Sequence, residues 1–177
     1  MPHIHTELGQ HDHTVSAYIV RVDGDEPRAL LHLHKKHGIL MQVGGHIELD
    51  ETPWQAMAHE LVEESGYELS QLSILQPKQS LRSLNTAVLH PIPFSMNTHV
   101  INQDHKHIDH AYAFVANEGP TRLPKDGESA DLRWLTCAEL LGLDAAQTIE
   151  NVRQSYLFIL NQILDNWESV PATDFEI

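Results

Sequence analysis

The sequence predicts a single globular domain of α/β or α+β class, and three observations predict it. Runs of β-branched and aromatic residues at 14–22, 29–34 and 107–116 read as strands. Two stretches, 53–65 and 149–168, instead carry apolar residues at helical spacing. The length of 177 residues, with 41% hydrophobic and 20% charged residues, suits one core and does not require a second.

In chain order, residues 1–12 read as a polar arm, 13–170 as the domain and 171–177 as a tail. Thr14 to Val22 is the first strand. Asp23-Gly24-Asp25-Glu26-Pro27 is a turn, and Ala29 to His34 a second strand able to close a hairpin on the first. Ile39 to Val43 leads into Gly44-Gly45. Thr52 as N-cap, Pro53 at the first helical position and Gln55 completing a capping box open the helix 53–65, and Ser65-Gly66 stops it. Its apolar stripe is Trp54, Met57, Ala58, Leu61 and Val62.

A short strand follows at 72–75, and Pro91 and Pro93 point to an irregular connection over 78–97. Strands are expected at 98–101, 107–116 and 132–135, with a polar loop over 117–130 and a small helix near 138–141. Ile149, Val152, Tyr156, Ile159, Leu160, Ile163, Leu164 and Trp167 mark the last helix, at about 149–168.

Composition removes several function classes. Twenty-five acidic against eleven basic residues give a formal charge of -14, which opposes binding to nucleic acid polymers or anionic membranes. A phosphorylated small molecule stays compatible if cations neutralise the site. With Cys137 as the one cysteine, neither an intramolecular disulfide nor a multi-cysteine zinc site can form. No basic start with an apolar run opens the chain, and no apolar stretch reaches membrane-spanning length, so a soluble cytoplasmic protein is expected.

Glu60, Glu63 and Glu64 fall at i, i+3 and i+4, on one side of a helix. Like charges so placed repel, so the row is a poor stabilising device unless a cation sits among it. Taken alone it reads as a solvated face. The preceding Gly44-Gly45, which permits close backbone approach, and Glu48 and Glu51 change that weighting. Hard divalent ions such as magnesium take oxygen ligands of this kind.

The stretch Gly45-His46-Ile47-Glu48-Leu49-Asp50-Glu51 through His59-Glu60-Leu61-Val62-Glu63-Glu64-Ser65-Gly66-Tyr67 resembles the Nudix box, G-x5-E-x7-R-E-U-x-E-E-x-G-U, where U is bulky and apolar. Gly45, Glu51, Glu60, Leu61, Glu63, Glu64 and Gly66 are in register, and Val43 stands where the lead-in often has proline. His59 departs from the pattern by replacing the arginine, and its charge at neutral pH depends on its surroundings.

The resemblance implies a Nudix-like α/β/α sandwich with a mixed central sheet and a long C-terminal helix. It implies a magnesium-dependent hydrolase, with manganese as the alternative ion, acting on a nucleoside diphosphate linked to another group. A catalytically silent domain that binds a nucleotide-like ligand as a sensor is the alternative. By the match, Glu60, Glu63, Glu64 and the Gly45 carbonyl hold metal, and Glu51 supports them.

A later glutamate serves as base or extra ligand in many members. Glu118 and Glu128 are the candidates, and the run from Glu128 to Leu140 favours Glu128. Gly44, Gly45, His59, His107 and Asp109 are the expected substrate contacts. His105, His107 and Asp109 alternate, so on a strand they share a face; two imidazoles and a carboxylate suit a transition metal or a substrate contact. The expected partner is a small nucleotide-type molecule, and a homodimer is an assembly common among members.

Overall fold

The structure is a computed structural model that describes residues 4, 5, 7, 9–102 and 105–175. Nine strands form one sheet: β1 (His11–Arg21), β2 (Arg28–His34), β3 (Ile39–Met41), β4 (Val43–His46), β5 (Leu72–Gln76), β6 (Ser95–Asn102), β7 (His105–Ala116), β8 (Leu132–Leu135) and β9 (Glu168–Pro171). The path runs β3-β2-β1-β7-β5-β9, with β4 on β1, β6 on β7 and β8 on β2. Among the described strands, β1 and β7 alone pair with each other in parallel, in register from His11 opposite Lys106 to Arg21 opposite Ala116, and an isolated parallel bridge joins Leu40 to Thr148. The other pairings are antiparallel, so the sheet is mixed.

Among the described residues three α-helices cover it: α1 (Pro53–Glu60), α2 (Cys137–Gly142) and α3 (Glu150–Phe158). Strand alternation sends successive side chains to opposite faces and so builds two cores. Val15, Ala17 and Ile19 of β1 meet Trp54, Met57 and Leu61 on the α1 side. Tyr18 and Val20 meet Val152, Tyr156, Ile159 and Ile163 on the α3 side. Trp54 is fully buried and stacks on Phe114 at 6.0 Å between ring centres. Burying a side chain of this class contributes ~1.5–3 kcal/mol. The result is an α/β/α sandwich with a mixed central sheet, as the resemblance implies.

The α1 start is capped as predicted: Thr52 Oγ1 accepts from the Gln55 N–H at 3.2 Å, and the Thr52 N–H donates to the Gln55 side chain at 2.8 Å. After Glu60 the helix widens into a π-helical turn, Leu61–Ser65, ending at the left-handed Gly66. α3 likewise continues as a π-helical turn over Ile159–Ile163. None of the helices among the described residues is long and apolar enough to cross a membrane.

Three expectations need correction. The last helix ends near Ile163, short of 168, because a turn and then β9 follow, hydrogen-bonded antiparallel to β5. Residues 171–175 of the expected tail lie against the domain, with Ala172 buried and Phe175 on the α1-side core, and 176 and 177 lie outside the described residues. At the other end β1 begins at His11 and Asp12 is fully buried, so the described part of the arm is not simply solvated.

Candidate active site and a second polar cluster

The acidic residues of α1 do not form a solvated face. Glu60 and Glu64 are only 6% and 8% exposed, because the helix directs them at the β4 backbone. Gly45 lies so close to Glu60 that a Cβ there would overlap its carboxylate. The Gly44 N–H donates to Glu64 Oε2 at 2.8 Å. Gly44 has φ +153° and a Cβ on it would strike the Val15 carbonyl, so Gly44 is required by close approach, whereas a Cβ on Gly45 would displace the Glu60 carboxylate.

Burial, then repulsion from Glu63, raises Glu60 to about 7. Burial also raises Glu64, to about 8, against the lowering effect of the Gly44 hydrogen bond. His32 of β2 completes this wall, with Nε2 3.6 Å from Glu64 Oε2. Burial, aided by the charge of His34, lowers the His32 pKa to about 4, so its ring is neutral at pH 7.

Glu63 is more open and is held from two sides. His59 Nε2 lies 2.8 Å from Glu63 Oε1, and its Nδ1 lies 3.3 Å from Glu51 Oε1. His59 therefore bridges two box carboxylates from the arginine position. Burial lowers its pKa, but Glu63 and Glu51 outweigh that and raise it overall. Lys125 forms an ion pair with Glu63, and its N–H donates to the Glu63 carbonyl at 2.8 Å. The Lys125 bond lowers the Glu63 carboxyl despite partial burial.

Glu51 accepts the Glu48 N–H at 3.3 Å. Glu128 is half-buried, and its charge reaches both Glu60 and Glu64. Glu118 is exposed, and its carbonyl accepts the Tyr67 hydroxyl. Glu51, Glu60, Glu63, Glu64, His59, Gly44, Gly45 and Glu128 thus come together. Lys125 and His32 join them without sequence signals of their own: Lys125 sits in a polar loop, and His32 is one of fourteen histidines.

His107 and Asp109 are not brought to this site. They share the β7 face with Ala111, Ala113 and Val115, all on the α3 side, whereas Glu60 meets Gly45, the partner of the α1-side Val15. Asp109 accepts Thr14 Oγ1 and Ser16 Oγ, each at 2.9 Å, and burial raises its carboxyl.

His105 and His107 gather around Asp12 in place of Asp109. Ligand atoms of Asp12, His105 and His107 all lie within 4.8 Å of one another, and all three residues are buried. Asp12 Oδ2 is 3.1 Å from His105 Nε2 and 3.4 Å from His46 Nε2. Asp12 Oδ1 accepts the His5 N–H at 2.8 Å. Burial opposes the Asp12 charge, yet the His5 and Ile4 hydrogen bonds and His46 hold the carboxyl well below the usual range. Burial, then the charges of His46, His99 and His105, pushes His107 down to about 4.

A family model described as the NUDIX domain matches residues 12–156. The chain belongs to the Nudix family. Among solved structures, it is similar to a NUDIX-family hydrolase from Clostridium perfringens, with TM-score 0.69 and 29% identity over 84% of this chain and 95% of that one. It also shares the fold of a NUDIX hydrolase from Nitrosomonas europaea (TM-score 0.59, 18% identity, 88% and 95% covered). A third, described as a putative NUDIX hydrolase from Listeria monocytogenes, matches at TM-score 0.61 and 13% identity over 93% and 97%. No curated protein matches the chain. Membership agrees with metal-assisted hydrolysis of phosphoric anhydrides as the general chemistry of this Nudix chain.

Proposed function

We propose that this Nudix protein hydrolyses the diphosphate linkage of a nucleoside diphosphate joined to another group, using Mg2+ or Mn2+ held on α1. The observation that carries this is the buried pair Glu60 and Glu64 set against the Gly44–Gly45 backbone. Two carboxyls whose charge burial opposes are costly unless a cation joins them. The donors, all oxygen, fit a hard divalent ion: Glu60, Glu63, Glu64 and the Gly45 carbonyl.

When bound, such ions screen the diphosphate charge and acidify the attacking water. The chain's own residues do the rest. Helix α1 and its π-helical turn fix the three glutamates on one rigid element, which limits reorganisation during reaction. His59 and Lys125 hold Glu63, and Glu51 anchors His59 from the loop. Glu128, close enough to act electrostatically on Glu60 and Glu64, is assigned as the base that takes the water proton.

Gly44, Gly45 and His59 border the substrate. His107 and Asp109, on the other sheet face, are not assigned that role. The expected substrate is a small nucleotide-type molecule of the cytoplasm.

The test is a panel of nucleoside triphosphates, nucleotide sugars, ADP-ribose and dinucleotides, assayed with either ion and with products identified. Cleavage of a diphosphate bond in at least one supports the reading. Binding of a nucleotide with every compound left intact would make the domain a sensor.

A further inference from the structure

The α3-side cluster has no place in that chemistry. The sandwich separates it from Glu60 and Glu64, and the sheet backbone fixes its geometry. Asp12 and His107 are direct partners in the parallel β1–β7 pairing, and His105 stands two residues earlier on the same face. His46 enters from β4, opposite Thr14, on that face as well. Three segments distant in sequence therefore meet at one end of the sheet.

We infer that Asp12, His105 and His107 form a second metal site, separate from the box, that takes a zinc-class transition ion and clamps the start of β1 to the start of β7. The donor set decides the class. Magnesium demands a nearly all-oxygen shell, whereas imidazole nitrogens with one carboxylate suit zinc, cobalt, nickel or iron. His105 Nε2 and Asp12 Oδ2 are 3.1 Å apart. That is close to the ~3.4 Å edge of a tetrahedron with ~2.1 Å metal–ligand bonds. The outermost atoms, within 4.8 Å, need only a small inward shift.

Two further contacts resemble the supporting shell of such a site. His5 holds Asp12 through Oδ1, and His46 Nε2 stands 3.4 Å from Oδ2, next to the position that three protein ligands leave open. The three residues are buried, so the ion acts as a staple between strands. Asp12 and His105 are 93 positions apart, and a cross-link closing so long a loop restricts the unfolded chain strongly. The competing account is a purely ionic Asp12–histidine network that holds no metal.

Co2+ separates the two. The full chain is stripped with a chelator, supplied with excess Mg2+ to occupy the box, and titrated with Co2+ as a visible and paramagnetic probe. One equivalent should bind with low-coordinate d–d bands, be displaced by Zn2+, and show hyperfine-shifted imidazole N–H signals from two histidines. An all-carboxylate site gives no such signals, so this readout on the unaltered protein decides the matter even if a variant fails to fold.

The bands should persist in Glu64→Gln. In His105→Ala and His107→Gln, affinity should fall by more than ~100-fold, beyond the loss from a supporting hydrogen bond alone. Zn2+ should raise Tm in the unaltered chain and in Glu64→Gln, and not in the histidine variants. Absence of imidazole signals, or equal Co2+ affinity in a folded His107→Gln, overturns the inference. Neither result depends on turnover, so failure here leaves the hydrolase proposal standing.

Discussion

His59 occupies the position of the box arginine, and its two ring nitrogens reach Glu51 and Glu63. An arginine makes such contacts with a permanent charge; the histidine depends on the two carboxylates to keep its proton. His59→Arg should therefore retain or increase turnover, while His59→Ala should lower it ~10-fold, as loss of a supporting contact does. A large loss in the arginine variant would give the imidazole a role of its own. Glu64→Gln keeps the shape and the Gly44 contact but removes the charge, so kcat should fall by ~100-fold or more with the fold intact, and Glu63→Gln should behave alike. Near-normal kcat in both would remove them from the site. At this scale the box glutamates were legible because fixed spacing on a helix fixes their face. Asp12, His32 and Lys125 were not, since each depends on a strand pairing or loop path with no local pattern.

At the scale of elements, α1 was readable almost in full, because capping and apolar spacing are local. Its cap is directly testable: Thr52→Ala loses one bond of the box and should cost about 1 kcal/mol, read as a lower denaturation midpoint. The π-helical turn was not readable, since it follows from packing Leu61 and Ser65 into the core while Gly66 closes the helix. Strand β9 was missed for a similar reason. The polarity of its four residues, Glu-Ser-Val-Pro, does not alternate although their burial does, and Trp167 extends the α3 stripe up to it.

Strand β4 offers the sharper test. Gly45→Ala adds one methyl where the Glu60 carboxylate sits, so the end of that buried side chain must move away from β4. The variant should fold but lose Mg2+ affinity and turnover together. Unchanged Mg2+ affinity, measured calorimetrically, would mean that Glu60 does not face the ion.

For the whole molecule, the sheet order and the parallel β1–β7 register lie beyond local pattern, yet they bury the histidines and carboxyls that set how stability follows pH. Burial, with His34 second, lowers His32 to about 4, and burial likewise lowers His34, His107 and His110. A histidine whose folded pKa is depressed leaves the unfolded chain binding more protons once pH falls below its ordinary 6.5. Stability is thus lost from there down to about 4, by ~3 kcal/mol for His32 alone. Glu60 and Glu64 act in the opposite sense. Burial raises them to about 7 and 8, above their ordinary 4.5, so without metal they oppose folding increasingly as pH rises through that window. Between about 4.5 and 6.5 the two slopes oppose one another, and above about 6.5 the carboxyl slope acts alone, so the chelator-treated protein should lose stability from pH ~6.5 to ~8. Mg2+ should lift the alkaline side, where the carboxylates are ionised, and leave the acid side unchanged. Urea melts across pH 4–8, with and without Mg2+, check both limbs. His32→Leu should flatten the acid limb and Glu64→Gln the alkaline one. Constant stability of the chelator-treated protein from pH ~6.5 to ~8, or an Mg2+ effect independent of pH, would show that these buried groups do not govern the balance.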